Sequence, residues 1–337
     1  MKQNDSLSSK ENVQILAIPG DGIGKEVVPI AVDVLRLAVP FVEVRTEDAG
    51  YERWLECGES ISMRTLKMAW AADGVLFGCT GTPSPPPAGY RSPILTLRKH
   101  LKLNINHRYC RSINGHPLNV VMIRDCSEGL YVQREHAIPG GMVAEHQVTR
   151  TATSRVAEVA AAFARRRLGR VTIVHKANVL KQTDGLFRQV AIETLEAEGI
   201  EWDEALSDAA GYHLVMDPKR YDIMLMTSHV GDLLSDLGAA VAGGLGLVPS
   251  LSLGEGPPLA EPIHGSAPDL VGRGMADPVA TILSAGLLLE ELGFRKEGHQ
   301  LRSVVESHLA ARTPSQLLKT KEIAEDIIQR LRNEKVI

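Results

Sequence analysis

Short runs rich in β-branched and apolar residues recur along this chain, and each leads into a helical stretch or a loop before one. They are Val13 to Ile18, followed by GDGIG and a helix from Lys25; Val42 to Asp48; Gly74 to Phe77; Val120 to Ile123; Val171 to His175; and Ile223 to Thr227. Alternation of this kind predicts α/β layers with a largely parallel sheet. No repeat of fixed period competes with that reading. The 337 residues suffice for about two domains. Two zones rich in turn formers, Thr80 to Pro93 and Gly243 to Pro258, predict irregular backbone and hinges.

Composition removes several function classes. The 37 Lys and Arg against 41 Asp and Glu leave a net charge of -4, which offers no general field for nucleic acid. Arg165, Arg166, Arg167 and Arg170 close an Ala-rich helix from Arg155 to Leu168, where cations suit the negative end of the dipole, and read as a solvated helix end. No apolar run approaches the roughly 18 residues of a membrane span, so Asp277 to Leu289 is read as a core helix. Cys57, Cys79, Cys110 and Cys126 form no C-x-x-C, and His107 beside Cys110 falls short of a zinc set, which leaves buried reduced thiols. The polar start MKQNDSLSSKEN lacks an apolar core and reads as a loose tail. A cytoplasmic enzyme with no membrane or nucleic-acid partner is the expectation.

Several motifs carry chemistry. Gly20-Asp21-Gly22-Ile23-Gly24-Lys25 has Lys25 where a dinucleotide fingerprint needs its third glycine, and Pro19 and Glu26 break a P-loop, so locally it is a tight strand-to-helix turn. Arg98, Arg108 and Arg124 leave structured elements and can clamp carboxylates through paired N–H donors, although taken alone, in a chain rich in arginine, they read first as surface cations. Asp232 and Asp236 stand four apart, on one helix face, and their repulsion calls for a cation. Oxygen ligands without cysteine point to Mg²⁺ or Mn²⁺; a solvated acidic helix start is the competing reading. Lys176 ends an apolar strand and is a candidate base, with Tyr131 a candidate proton donor beside it, or both are structural. His264-Gly265-Ser266-Ala267-Pro268-Asp269 admits close approach of a flat ligand, and Asp269 can accept both ribose hydroxyls; otherwise it is a connecting loop.

Taken together, order and spacing resemble the β-decarboxylating dehydrogenase family of isocitrate, 3-isopropylmalate, homoisocitrate and tartrate/malate dehydrogenases, over nearly the whole chain from Ile18 to Pro278. The resemblance implies a two-domain, isopropylmalate dehydrogenase-like α/β fold that is not a Rossmann domain. Residues 1–103 with 243–337 would form a discontinuous large domain on the cofactor side, and 104–242 a small domain carrying the dimer interface. It implies substrate binding by Arg98, Arg108, Arg124 and Asn178, catalysis by Tyr131 and Lys176, and a Mg²⁺ or Mn²⁺ site on Asp208, Asp232 and Asp236. His264, Gly265, Ser266, Ala267, Asp269 and Asp277 would bind NAD, since Leu270 and Val271 after Asp269 offer no partner for a 2′-phosphate. A homodimer with shared sites is implied, Lys176, Asn178 and Asp208 reaching into the partner's cleft.

The chain departs from the family pattern at His107, where N-L-R-P is usual, at Ser228 in place of an asparagine, and at Asp277 in A-N-P. Ile94 and Leu95 occupy the places of a leucine pair in isopropylmalate enzymes and favour an apolar C3 group, hence 3-isopropylmalate or a similar alkylmalate. Arg91-Ser92 resembles isocitrate enzymes and favours a third acidic group, as in isocitrate, homoisocitrate or a phosphonomethylmalate. A catalytically silent regulatory subunit is the rival of another class, disfavoured because each chemical role is filled.

Overall fold

The computed structural model describes residues 12–112, 117–312 and 318–335; the stretch read as a tail lies outside them up to Glu11. Two compact units emerge, one running to Lys102 and resuming at Leu245, the other spanning Leu103–Gly244.

The first unit opens with β1 (Val13–Gly20) and α1 (Gly24–Ala38). Gly20 and Gly22 take positive φ between them, and a Cβ on Gly22 would stand 2.2 Å from the Ser266 carbonyl oxygen, so close approach demands glycine here. Helix α1 buries Val27, Val28, Ala31, Val34, Leu35 and Ala38, the spacing of one helical face. Then come β2 (Val42–Thr46), α2 (Tyr51–Cys57), α3 (Met63–Ala71), β3 (Gly74–Cys79) and, after the proline-rich loop, α4 (Pro93–His100). Buried Asp21 accepts N–H bonds from Tyr51, Glu52 and Gly81 at 2.7–2.9 Å, so the glycine turn also fastens the start of α2.

The second unit contains β4 (Leu103–Arg111), β5 (Asn119–Asp125), the hairpin β6 (Glu135–Ile138) and β7 (Gly141–Ala144), α5 (Arg150–Ala164), β8 (Arg170–His175), α6 (Thr183–Ala197), β9 (Glu201–Leu206), α7 (Ser207–Met216), β10 (Ile223–Met226) and α8 (Ser228–Ala242). Its strands run in the order β4-β5-β10-β8-β9, parallel except for β4 against β5. Thr149 caps α5, its Oγ1 accepting from the Ala152 N–H. The arginine cluster is not a simple solvated helix end: α5 stops at Ala164, and Arg167 is held 2.7 Å from buried Asp222 and lies over the Tyr109 ring. Carboxylate and ring together anchor the chain as it leaves the helix.

The chain returns to the first unit with β11 (Pro249–Gly254), β12 (Leu259–Pro262), α9 (Val279–Glu291), α10 (Arg295–Ala311) and α11 (Thr320–Lys335). The order there is β2-β1-β3-β12-β11, antiparallel only between β11 and β12. The zone from Gly243 to Pro258 is therefore not irregular throughout. Pro249 stands at the strand's first residue, where a missing N–H is tolerated, and Ser250 to Leu253 are buried. Helix α9 is a core helix, as its composition predicts, with Ile282, Ala285, Leu288 and Leu289 buried at about 1.5–3 kcal/mol for each large side chain. All four cysteines are free; Cys79, Cys110 and Cys126 are buried, whereas Cys57 on α2 is exposed and corrects the expectation for that thiol. No helix among the described residues is long and apolar enough to cross a membrane.

Candidate active site

Alternation along β4 puts Asn106 and Arg108 on one face and His107 on the other. Arg108 Nη1 donates to Asp236 Oδ1 and Ser235 Oγ, each at 2.8 Å, while Nη2 reaches Asp232 Oδ1 at 3.4 Å. Arg124, paired with Asn106 in the β4–β5 register, lies 2.9 Å from the same Asp232 oxygen and donates to the Ser228 carbonyl at 3.0 Å. Tyr131, on a 3-10 turn (Leu130–Val132), donates its hydroxyl to Asp232 Oδ2 at 2.8 Å, with the Arg124 guanidinium over its ring. Burial raises the phenol's pKa, which keeps the proton on Tyr131 and makes it a donor. A Cβ on Gly231 would come within 2.5 Å of the Arg124 side chain, so glycine lets that arginine lie against α8.

Two local readings are thereby corrected. Arg98, Arg108 and Arg124 are buried and not surface cations. Asp232 and Asp236 belong to inner turns of α8 and not to its start, and Arg108 and Arg124 lie beside them. In the first unit, buried Arg98 donates to Glu261 Oε1 at 2.6 Å.

A second cluster surrounds Lys176, just beyond β8. Its ammonium lies 2.7 Å from Asp208 in the first turn of α7. Asp208 is exposed, and the hydrogen bond from Lys176 holds its carboxyl below the usual range. Asn178 is exposed on the turn that follows. The phenol and the amine thus have different partners, Asp232 for Tyr131 and Asp208 for Lys176. Among the described residues no group of three or more His, Cys, Asp or Glu side chains is placed to hold a metal, so one chain does not gather Asp208 with Asp232 and Asp236.

The glycine turn and the 264–269 loop meet in the first unit, where the Ile23 N–H donates to the Ser266 carbonyl at 3.0 Å. Ala267, at positive φ, and Leu270 pack on Ile23, Val27, Cys79 and Ala276. Gly265 and Asp269 are exposed. His264 Nε2 is buried without a partner, and burial pushes this imidazole towards its neutral form. Asp277 is not an uncompensated negative group, because Arg312 Nη1 donates to it at 2.7 Å. Ile94 and Leu95 on α4 are half-buried and not fully buried, and Arg91 before them is exposed.

Comparisons with known proteins place the chain among relatives of one kind. The family model for isocitrate/isopropylmalate dehydrogenase matches residues 14–331. The homoisocitrate dehydrogenase of Methanocaldococcus jannaschii is 36% identical over 341 residues, covering 95% of this chain and 98% of that one. The 3-isopropylmalate dehydrogenase of Archaeoglobus fulgidus is 38% identical over 327 residues, covering 93% and 98%. The solved β-decarboxylating dehydrogenase of Thermococcus kodakarensis superposes with a TM-score of 0.87 at 37% identity, covering 96% and 98%. The chain belongs to the isocitrate/isopropylmalate dehydrogenase family. Its members are β-decarboxylating dehydrogenases acting on a CH–OH group, and the fold is the α/β fold of that family and not a Rossmann domain.

Arg98, Arg108 and Arg124 have supporting residues that the sequence did not single out. Asn106 accepts from Nε of both Arg108 and Arg124, and Glu261 fixes Arg98. A polar residue two before an arginine on a strand shares its face, which is the one sequence signal for Asn106. Nothing local in the sequence links Glu261 to Arg98 across 163 positions. The departure at His107 leads into the core, where its ring packs 4.9 Å from Phe163. Ser228 is buried, with its Oγ unpartnered, and would collide with any Cβ on Gly129.

Proposed function

We propose that this chain is an NAD-dependent, divalent-metal-dependent enzyme that oxidatively decarboxylates a 3-substituted malate to a 2-oxo acid and CO₂. The observation that carries the reading is the closed network of Arg108, Arg124, Tyr131, Asp232 and Asp236. Two buried arginines beside two carboxylates hold the charges that an acidic substrate and a cation each require. The hard oxygen donors of Asp232 and Asp236 fit Mg²⁺ or Mn²⁺, and Asp208 of a second copy would complete the set. The buried, unpartnered His264 Nε2 fits a polar cofactor group, and exposed Asp269 fits an unphosphorylated ribose.

When bound, the cation supplies Lewis-acid polarisation of the C2 oxygen and NAD⁺ accepts the hydride. Arg98, Arg108 and Arg124 bind the substrate carboxylates, and Asn178 helps to orient them. Lys176, as the neutral amine, receives the proton of the C2 hydroxyl and becomes the ammonium as C2 loses hydride. The C–CO₂ bond at C3 then breaks, its electron pair passing into an enolate, and Tyr131 delivers the proton that C3 gains.

A homodimer with shared sites accounts for the separation of Asp208 and Lys176 from Asp232 and Asp236. The second unit exposes Ile138 and Met142 on its hairpin, Tyr212 and Met216 on α7, and Leu233 on α8. A two-stranded hairpin is marginal alone, and apolar surface of this kind favours burial against a second copy. We place the reaction in the cytoplasm, with no nucleic-acid or membrane partner.

The substrate assigned is 3-isopropylmalate or a similar alkylmalate, because half-buried Ile94 and Leu95 on α4 offer apolar surface. Exposed Arg91 favours the second reading, an acidic C3 group as in isocitrate, homoisocitrate or phosphonomethylmalate. Rates with NAD⁺ and NADP⁺ against this panel, with Mn²⁺, in wild type and Arg91→Ala, test both assignments. Turnover of isopropylmalate with NAD⁺, untouched by the substitution, is expected. Higher kcat/KM with NADP⁺ overturns the cofactor, and an acidic preference abolished in Arg91→Ala overturns the apolar pocket.

A further inference from the structure

The chain holds Lys176 in place through a side chain of another element. The Lys176 backbone N–H donates to Asp184 Oδ2 at 2.6 Å, reaching from the turn after β8 into the first turn of α6. Around that bond the turn closes on itself: the Ala177 N–H donates to His175 Nδ1, and the N–H groups of Val179 and Leu180 both donate to the Lys176 carbonyl. The partly exposed lysine side chain therefore springs from a backbone whose fixed point is a carboxylate with a side-chain exposure of only 1%. A buried carboxylate is costly, and this one is incompletely compensated. Its Oδ1 lies 3.3 Å from His146 Nε2, in the segment after β7, without the alignment of a hydrogen bond, and neither atom has another partner. Capping does not account for it, since the carboxylate reaches back eight positions to Lys176.

We infer that Asp184 is a positioning residue for Lys176, holding the lysine's backbone so that the amine meets the substrate hydroxyl, with His146 on its far side limiting how the carboxylate can turn. This rests on the reading of Lys176 as the proton acceptor. Displacing a reacting group by about 1 Å costs on the order of a hundredfold in rate, and binding made elsewhere is unaffected.

The experiment uses the full-length enzyme with NAD⁺, Mn²⁺ and the better of 3-isopropylmalate and homoisocitrate. Lys176→Ala comes first: if it keeps wild-type kcat, the reading of the lysine falls, whatever Asp184 does. With that variant inactive, Asp184→Ala is expected to lower kcat by about a hundredfold with KM within about threefold, and to raise the isotope effect of a C2-deuterated substrate. Asp184→Asn keeps a carbonyl oxygen for the Lys176 N–H and is expected to restore most of kcat. If Asp184→Ala does not fold, Asp184→Glu carries the test, because it keeps the charge but shifts the acceptor, and the same loss of kcat at unchanged KM is expected. Hydrogen exchange of the segment 174–182 is expected to quicken in the Ala and Glu variants and not in Asn. A kcat within threefold of wild type in Asp184→Ala, or in Asp184→Glu where that variant carries the test, overturns the inference. So does an Asn variant no better than Ala.

Discussion

Asp232 and Asp208 are both carboxylates on helices in the second unit, yet their surroundings are opposite. Asp232 meets two buried arginines and a tyrosine hydroxyl. Asp208 meets one lysine and is exposed. Placing Asp232 beside Arg124 satisfies an arginine that would be expensive to leave unpaired, so the folded single chain itself dictates that geometry. Asp208 contributes little to the fold of one chain, which leaves it free for the role that the proposed shared site gives it. The difference separates the part of the site that one chain assembles from the part that it presents outward.

The strongest way to break this comparison is subunit complementation. Asp232→Asn and Lys176→Ala should each lose at least about a hundredfold in kcat, the first through lost charge at the cation and the second through lost proton transfer. Mixing the two inactive proteins under conditions of subunit exchange is expected to restore measurable activity, because one site of each mixed dimer then holds both intact residues. Proven heterodimers without recovery would show that each chain completes its own site.

Stability sharpens the same contrast. Without metal or substrate, Asp232→Asn should cost about 1–3 kcal/mol, since it leaves the charge of a buried arginine poorly matched. Asp208→Asn should leave the melting temperature unchanged, as surface ion pairs contribute little. Equal losses in urea titrations of the two variants would erase the distinction.

The outward part of the site was as legible in the sequence as the inward part, though for a different reason. Arg98, Arg108, Arg124, Tyr131, Lys176 and the aspartates are recognisable by type, order and spacing. The strand and helix alternation follows from apolar runs and their turns, but polar strands such as β4 and β9 carry no such run, and the buried strand within Gly243 to Pro258 was hidden because its glycines and proline fall at its margins. Pairings over long separations were not legible: Arg98 with Glu261, Arg312 with Asp277, and His146 with Asp184 depend on tertiary packing that leaves no local pattern. The same limit hid the fate of His107. A histidine directly between Asn106 and Arg108 invites a role in the site, and only the strand register reveals which face it takes.

The smallest expected effect on activity lies on the reverse face of β4. Burial against Phe163 pushes His107 down to about 4, so the folded protein holds the neutral ring while the unfolded chain titrates at an ordinary value near 6.5. The stability tied to the neutral ring is therefore complete above about pH 6.5 and is lost as pH falls towards 4, by roughly 2–3 kcal/mol near pH 4.5. Buried Asp125 works in the opposite sense: pushed up to about 6, it contributes stability below its ordinary value that is lost as pH rises through 6. Wild-type stability alone would blur the two, and a difference measurement separates them. His107→Leu replaces the ring with an apolar side chain of similar bulk, and its stability relative to wild type should rise by about 2–3 kcal/mol between roughly pH 8 and pH 4.5. Urea unfolding of both proteins across that range measures the gap, and a gap that stays flat would mean that His107 reaches solvent or a partner once folded. Its activity should match wild type, since Arg108 and Asn106 keep the face that points to the carboxylates.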